Sequence, residues 1–198
     1  YSQGFRFDFE TKKLMQTGAF YFKVLPRGVE VYLNGKFKAK TSLITNSTLI
    51  ENLLPKTYEI EVKKQGYHPW QKRLEIKERQ VTEAKNIILF PEKPNFSVIN
   101  DPVPEIEESA TSSDKKKVIE RSNDYEIYVL FLEEEEKVFL TRFSEKIGNI
   151  FWLTDDYLIF NVKDKIKIAE IDPRDKLNVI DLAEFSNPEI FWSQKDRK

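Results

Sequence analysis

The sequence predicts an all-β protein, a small β-sandwich followed by antiparallel β repeats, and three observations carry that expectation. Tyr58, Ile60 and Val62 alternate with Glu59, Glu61 and Lys63, the period-2 pattern of a strand with one buried face. Asn34-Gly35 lies between two strand-like stretches and offers the two positive-φ residues that a type I′ hairpin needs. Asn149-Ile150-Phe151-Trp152 returns 40 residues later as Glu189-Ile190-Phe191-Trp192, a spacing at which repeated sheets recur.

These observations divide the chain into four segments. Residues 1–17 form an N-terminal arm, in which Phe5, Phe7 and Phe9 alternate with Arg6, Asp8 and Glu10 as in an edge strand packed on the next domain. Residues 18–90 form the sandwich. Its first strand places Phe20, Phe22 and Val24 on one face, Pro26 and Gly28 set the turn after it, and the Asn34-Gly35 hairpin comes next. Residues 42–54 contain Thr, Ile and Asn in numbers that disfavour a helix and are expected to be extended. The strand centred on Ile60 comes after them, then a turn at Lys64-Gln65-Gly66, a strand pattern starting at Leu74 and Ile76, and a closing stretch from Val81 to Phe90. Residues 91–114 are rich in Pro, Glu and Ser and are expected to be a semi-extended linker that buries too little to order itself. Residues 115–198 hold the repeats, with strands expected over 118–121, 126–132, 137–142, 149–152, 157–162, 165–171 and 178–182. Thr111-Ser112-Ser113-Asp114 aligns with Trp152-Leu153-Thr154-Asp155 as a weaker earlier copy.

The turn and hairpin over 25–41 resemble the PEGA domain, a small β-sandwich named for a Pro-Glu-Gly-Ala signature. Here the signature reads Pro26-Arg27-Gly28-Val29, two of its four positions matching, and VYLNGK and Lys40-Thr41 agree with the family's next strand and turn. The stretch 53–76, with its Leu-Pro turn, Gly66-Tyr67 and Trp70, is similar to the second half of the family, although Lys56 stands where a glycine is usual. The resemblance covers 18–90 and implies a fold more than an activity. In the second part, FWLTDDYLIF resembles the Trp-Ser-Pro-Asp-Gly turn and strand of Tol-type and WD-type β-propellers, with Leu153 for Ser and Thr154 for Pro. A propeller closes with at least about four blades, whereas 115–198 spans about two, so the repeats are expected to be a truncated propeller or an open stack of sheets with an unpaired edge.

Composition narrows the function. The chain has 198 residues, a net charge of −1 and no cysteine, which removes an overall field for nucleic acid and all thiol and disulfide chemistry. No apolar run reaches the roughly 20 residues of a membrane span. The chain begins at Tyr1, and the resemblance to bacterial envelope proteins implies a transmembrane helix ahead of it. One histidine, His68, is too few for a zinc cluster without cysteine. There is no Gly-x-Ser-x-Gly elbow and no phosphate-binding glycine loop. Glu133 to Glu136 lack calcium-loop spacing and read, like Asp155-Asp156 and Lys115-Lys116-Lys117, as solvated turns.

The residues left as candidate contacts are Tyr67, His68 and Trp70 in the GYHPWQ turn. Such a cluster can stack on a sugar ring or anchor a peptide; the resemblance instead places Tyr67 and Trp70 in strand-to-strand packing. No catalytic, metal or cofactor residue is expected. The expected function is a non-enzymatic cell-envelope or surface module, extracytoplasmic and membrane-anchored, binding an envelope protein or polysaccharide and no nucleic acid. The alternatives are a fragment of a propeller enzyme whose active site lies outside this chain, and a structural subunit that assembles through open β edges.

Overall fold

A computed structural model describes residues 4–9, 12–97 and 110–190, and there the chain is all-β, as the sequence predicts. It divides into two compact units, Tyr1–Glu92 with Arg174–Lys176, and Lys93–Pro173 with Leu177–Lys198.

The first unit contains β1 (Phe5–Asp8), β2 (Lys13–Gln16), β3 (Gly18–Leu25), β4 (Glu30–Leu33), β5 (Lys36–Lys40), β6 (Ser47–Leu53), β7 (Thr57–Lys63), β8 (Trp70–Glu75) and β9 (Val81–Ile88). Two sheets, ordered β6-β3-β9 and β5-β4-β7-β8, make a sandwich. Their inner faces form one core of Phe20, Phe22 and Val24 from β3, Val31 and Leu33 from β4, Tyr58, Ile60 and Val62 from β7, and Ile50, Leu74 and Ile87. The alternation read from the sequence is the reason: on a pleated strand every second side chain faces the partner sheet. Asn34 and Gly35 take φ of 50° and 72°, and β4 and β5 pair antiparallel around them. Residues 42–54 are extended only from Ser47; a turn precedes β6.

Three features depart from the sequence expectation. The arm is a hairpin, β1 with β2, and Phe9 lies outside it on the surface. The strand expected from Leu74 starts four residues earlier at Trp70. The closing strand β9 runs parallel to β3, Ala19 beside Val81 and Leu25 beside Ile88, whereas every other strand pair among the described residues is antiparallel.

The second unit contains β10 (Lys117–Glu120), β11 (Glu126–Phe131), β12 (Glu136–Arg142), β13 (Ile147–Thr154), β14 (Tyr157–Val162), β15 (Lys165–Glu170) and β16 (Val179–Glu184). The sheets are ordered β10-β11-β12 and β13-β14-β15-β16, each a simple antiparallel meander. Residues 110–114, assigned to the linker by composition, are ordered here. Thr111 bridges Val118, the Ser112 amide donates to the Lys117 carbonyl at 2.9 Å, and the Ile119 amide donates to the Ala110 carbonyl at 2.8 Å. Backbone pairing gives this polar stretch the order that its side chains could not. It lies against β10 as β13 lies against β14, so both sheets repeat one four-step pattern. The strands starting at Lys117, Glu126 and Glu136 recur at Tyr157, Lys165 and Val179, a step of about 40 residues. The two sheets share one core, with Ile119, Ile127, Val129 and Leu140 from the first and Trp152, Leu158, Phe160 and Ala169 from the second. Phe191 and Trp192, the second half of the sequence repeat, lie outside the described residues.

Candidate functional site

The GYHPWQ turn joins β7 to β8. Gly66 takes φ of 80°, which only glycine adopts without cost. Trp70 is 3% exposed and sits in the sandwich core, and Tyr67 packs half-buried against that core. Tyr67 bridges Pro91, and the His68 amide donates to the Phe90 carbonyl at 2.9 Å. The His68 Nε2 is enclosed without a hydrogen-bond partner among the described residues. The fold therefore places Trp70 inward, Tyr67 half-buried against the same core, and His68 tied through its amide to the end of the domain.

The signature turn builds a different surface. Pro26 and Gly28, the latter with φ of 67°, bring Arg27 across the loop over 42–46. Arg27 Nη1 donates to the Leu43 carbonyl at 3.3 Å, and Lys64 Nζ donates to the Arg27 carbonyl at 2.8 Å. A methyl placed on Gly28 would meet Leu43 Cδ2 at 2.8 Å and Lys40 Cε at 3.7 Å, so both side chains lie over this glycine. Thr41 is buried and clamps the base of the loop: its amide donates to the Val29 carbonyl at 2.9 Å, and its Oγ1 accepts the Val29 amide at 3.1 Å.

The outer face of the four-stranded sheet carries a charged ladder. Lys63 Nζ lies 4.0 Å from the Tyr32 ring centre and 2.9 Å from Glu61 Oε2. That hydrogen bond is the main cause holding the Glu61 carboxyl below, and the Lys63 ammonium above, its ordinary range.

In the second unit the strongest electrostatic feature is a turn. Ser112 is buried, and its hydroxyl donates to Asp114 Oδ1 at 2.5 Å. Lys117 Nζ reaches Asp114 Oδ2 at 2.9 Å, and the Lys116 amide reaches Oδ1 at 3.0 Å. Burial works against the charged form, but the hydrogen bonds from Ser112, Lys117 and the Lys116 amide outweigh it and hold the carboxyl at about 2. The Asp114 amide in turn donates to Asp155 Oδ1 at 3.0 Å, so equivalent turns of successive sheets touch. Trp152 Nε1 donates to the Ala110 carbonyl at 2.8 Å. From the second sheet, Asn149 Nδ2 and Asn161 Nδ2 donate to the carbonyls of Ile190 and Pro188 at 3.5 and 3.2 Å. This is a structural joint, and the Glu133–Glu136 run is a hairpin tip in which Glu133 pairs Lys116 at 2.7 Å.

Among the described residues, no three His, Cys, Asp or Glu side chains converge as metal ligands would, and no helix is long and apolar enough to cross a membrane. One signal legible in the sequence is the distribution of charge. Residues 1–92 hold sixteen basic and ten acidic side chains, a net +6, whereas 93–198 hold sixteen and twenty-three, a net −7. The near-neutral total conceals two stretches of opposite net charge.

Compared with known families, residues 23–88 match the model of the PEGA domain, a module of surface and extracytoplasmic proteins. The match takes in the signature turn, both hairpins of the four-stranded sheet and all of β9. No curated protein matches the chain.

Proposed function

We propose that this chain is a non-enzymatic interaction scaffold of the bacterial cell envelope, held outside the cytoplasm by a membrane anchor. In this reading the PEGA domain is a spacer and binding unit, and the second unit is a run of propeller-type blades that present a surface to an envelope protein or polysaccharide. The observation that carries it is the PEGA match over 23–88. The blade reading is supported by two sheets that repeat one antiparallel meander, by Trp152 reaching back to Ala110, and by Asn149 reaching forward to Ile190. The first of these contacts ties the second sheet to the segment paired with β10, and the second ties it to the residues that follow β16.

The test is an alkaline phosphatase fusion to the full native gene product, read together with co-sedimentation of this chain with purified wall polysaccharide. Phosphatase activity in the membrane fraction and pelleting with the polysaccharide are expected. An inactive, cytoplasmic fusion overturns the location. A chain that stays in the supernatant removes the polysaccharide and leaves the protein partner.

A further inference from the structure

The loop over 42–46 displays two aliphatic side chains on a framework that holds them there. The Ser42 amide donates to the Ser47 carbonyl at 3.0 Å, and Ser42 Oγ accepts the amides of Ile44 and Thr45 at 3.1 and 3.2 Å. The Asn46 amide returns to the Ser42 carbonyl at 3.1 Å, and the Val24 amide takes the Asn46 carbonyl at 2.8 Å. The turn is thus closed by its own backbone and tied to β3, yet Leu43 is 67% and Ile44 86% exposed. A fixed turn that points its apolar residues outward gains nothing for the core by doing so.

The surroundings are cationic. Arg27 crosses to the Leu43 carbonyl, Lys40 runs over Gly28 beside Leu43, and Lys64 reaches the Arg27 carbonyl. Lys23 is in register with Ser47 at the base of the loop. The carboxylate in register with Lys40 is Glu30, and its Oε2 accepts the Tyr32 hydroxyl at 2.8 Å. Two aliphatic side chains at the tip and four cations behind them belong to residues 1–92, whose net charge is +6.

We propose that this corner of the sandwich docks on an anionic lipid surface, Leu43 and Ile44 entering the interface while Arg27, Lys40, Lys64 and Lys23 face the lipid phosphates. The apolar part decides between a bilayer and an acidic protein. A stable protein interface takes about 800 Å² from each side and is anchored by aromatic side chains in pockets, whereas a narrow aliphatic tip ringed by cations suits shallow insertion among headgroups. This goes beyond the envelope reading and does not depend on it, because a vesicle assay does not report where the protein resides.

The experiment is vesicle co-sedimentation of the full chain, with phosphatidylcholine alone against an equal mixture with phosphatidylglycerol, at low and high salt. Binding is expected to the mixture only and to weaken with salt. Leu43→Ser with Ile44→Ser is expected to weaken it at least about tenfold, and Lys40→Gln or Lys64→Gln about fivefold each. All four positions are outside the core, and unchanged urea midpoints establish that the variants fold. Equal binding to both vesicle types, or full binding by the serine variant, overturns the proposal. So does an absence of vesicle binding together with capture of a polyglutamate peptide, which assigns the corner to an acidic protein.

Discussion

Replacing Trp152 with Phe tests whether residues 110–114 belong to the repeat. The indole is 5% exposed in the core shared by the two sheets, and its Nε1 donates to the Ala110 carbonyl at 2.8 Å. That carbonyl also accepts the Ile119 amide at 2.8 Å, so the variant removes one of two hydrogen bonds and orphans no acceptor. The loss is therefore about 1 kcal/mol for the hydrogen bond and about 1 kcal/mol for the smaller ring in a packed site. A total of about 2 kcal/mol raises the local opening equilibrium about thirtyfold. Amide hydrogen exchange followed by NMR on the full chain reads this directly. The amides of Ser112 and Ile119, which close the pairing across residues 110–119, and of Asp114, which reaches Asp155, should lose protection by that factor. Amides of β4 and β7 in the first unit should keep theirs. Unchanged exchange at Ser112 and Ile119, or an equal loss in β7, would refute the role given to Trp152.

The other expectations concern both units. Phe20 is fully buried in the sandwich, and Phe20→Ala should cost about 3–5 kcal/mol, read as a lower urea midpoint of the first unit; a loss under about 1 kcal/mol would mean that the core is not packed as described. Gly18→Ala would drive a methyl into the Lys77 carbonyl oxygen and to within 2.8 Å of the Gln80 carbonyl oxygen, backbone atoms that cannot swing aside, so the β3–β9 edge should lose exchange protection. The Asp114 carboxyl is held at about 2 against 3.8, so its contribution is complete above about pH 4 and is lost as pH falls through about 2. The side chain is 29% exposed and water screens part of the effect, leaving about 1 kcal/mol; Asp114→Asn should flatten the acid limb of the second unit's stability profile, and an unaltered limb would exclude this group.

Much of the sandwich is legible in the sequence because its strands bury one face and wet the other. Tyr58, Ile60 and Val62 announce β7 without ambiguity, and Asn34-Gly35 fixes the hairpin from its backbone chemistry alone. Where sequence and structure part, a single residue or a long-range pairing is the cause. Lys72 occupies an inward position of β8 between Trp70 and Leu74 and is buried, its Nζ lying 5.7 Å from the Trp70 ring centre. A lysine there breaks the apolar alternation, so the strand pattern becomes visible only from Leu74 onward. The parallel pairing of β3 and β9 leaves no local mark, because strand direction is decided by the path between them. Residues 110–114 carry a linker's composition and take their order from hydrogen bonds to 117–119, which side-chain hydropathy does not register. In the GYHPWQ turn Trp70 opens β8 and faces the core, whereas His68 precedes the strand, so alternation does not decide where it points.

The charge distribution bears on any partner the chain meets. A sum of −1 predicts no electrostatic steering, but at physiological salt a charge is felt over only about 8 Å, well short of a domain's dimensions. A partner therefore meets local charge rather than the total, drawn from a net +6 over residues 1–92 and a net −7 over residues 93–198. Acidic ligands should select the first unit and cationic ones the second, both with affinities that fall as salt rises. Within the first unit the cations are not equivalent. Lys63 is committed to Glu61 and Lys85 pairs Glu83, whereas Arg27 and Lys64 spend hydrogen bonds on backbone carbonyls, which leaves their charge uncompensated. That difference, rather than the number of basic residues, concentrates the positive field at the signature turn, beside the two aliphatic side chains of the adjoining loop.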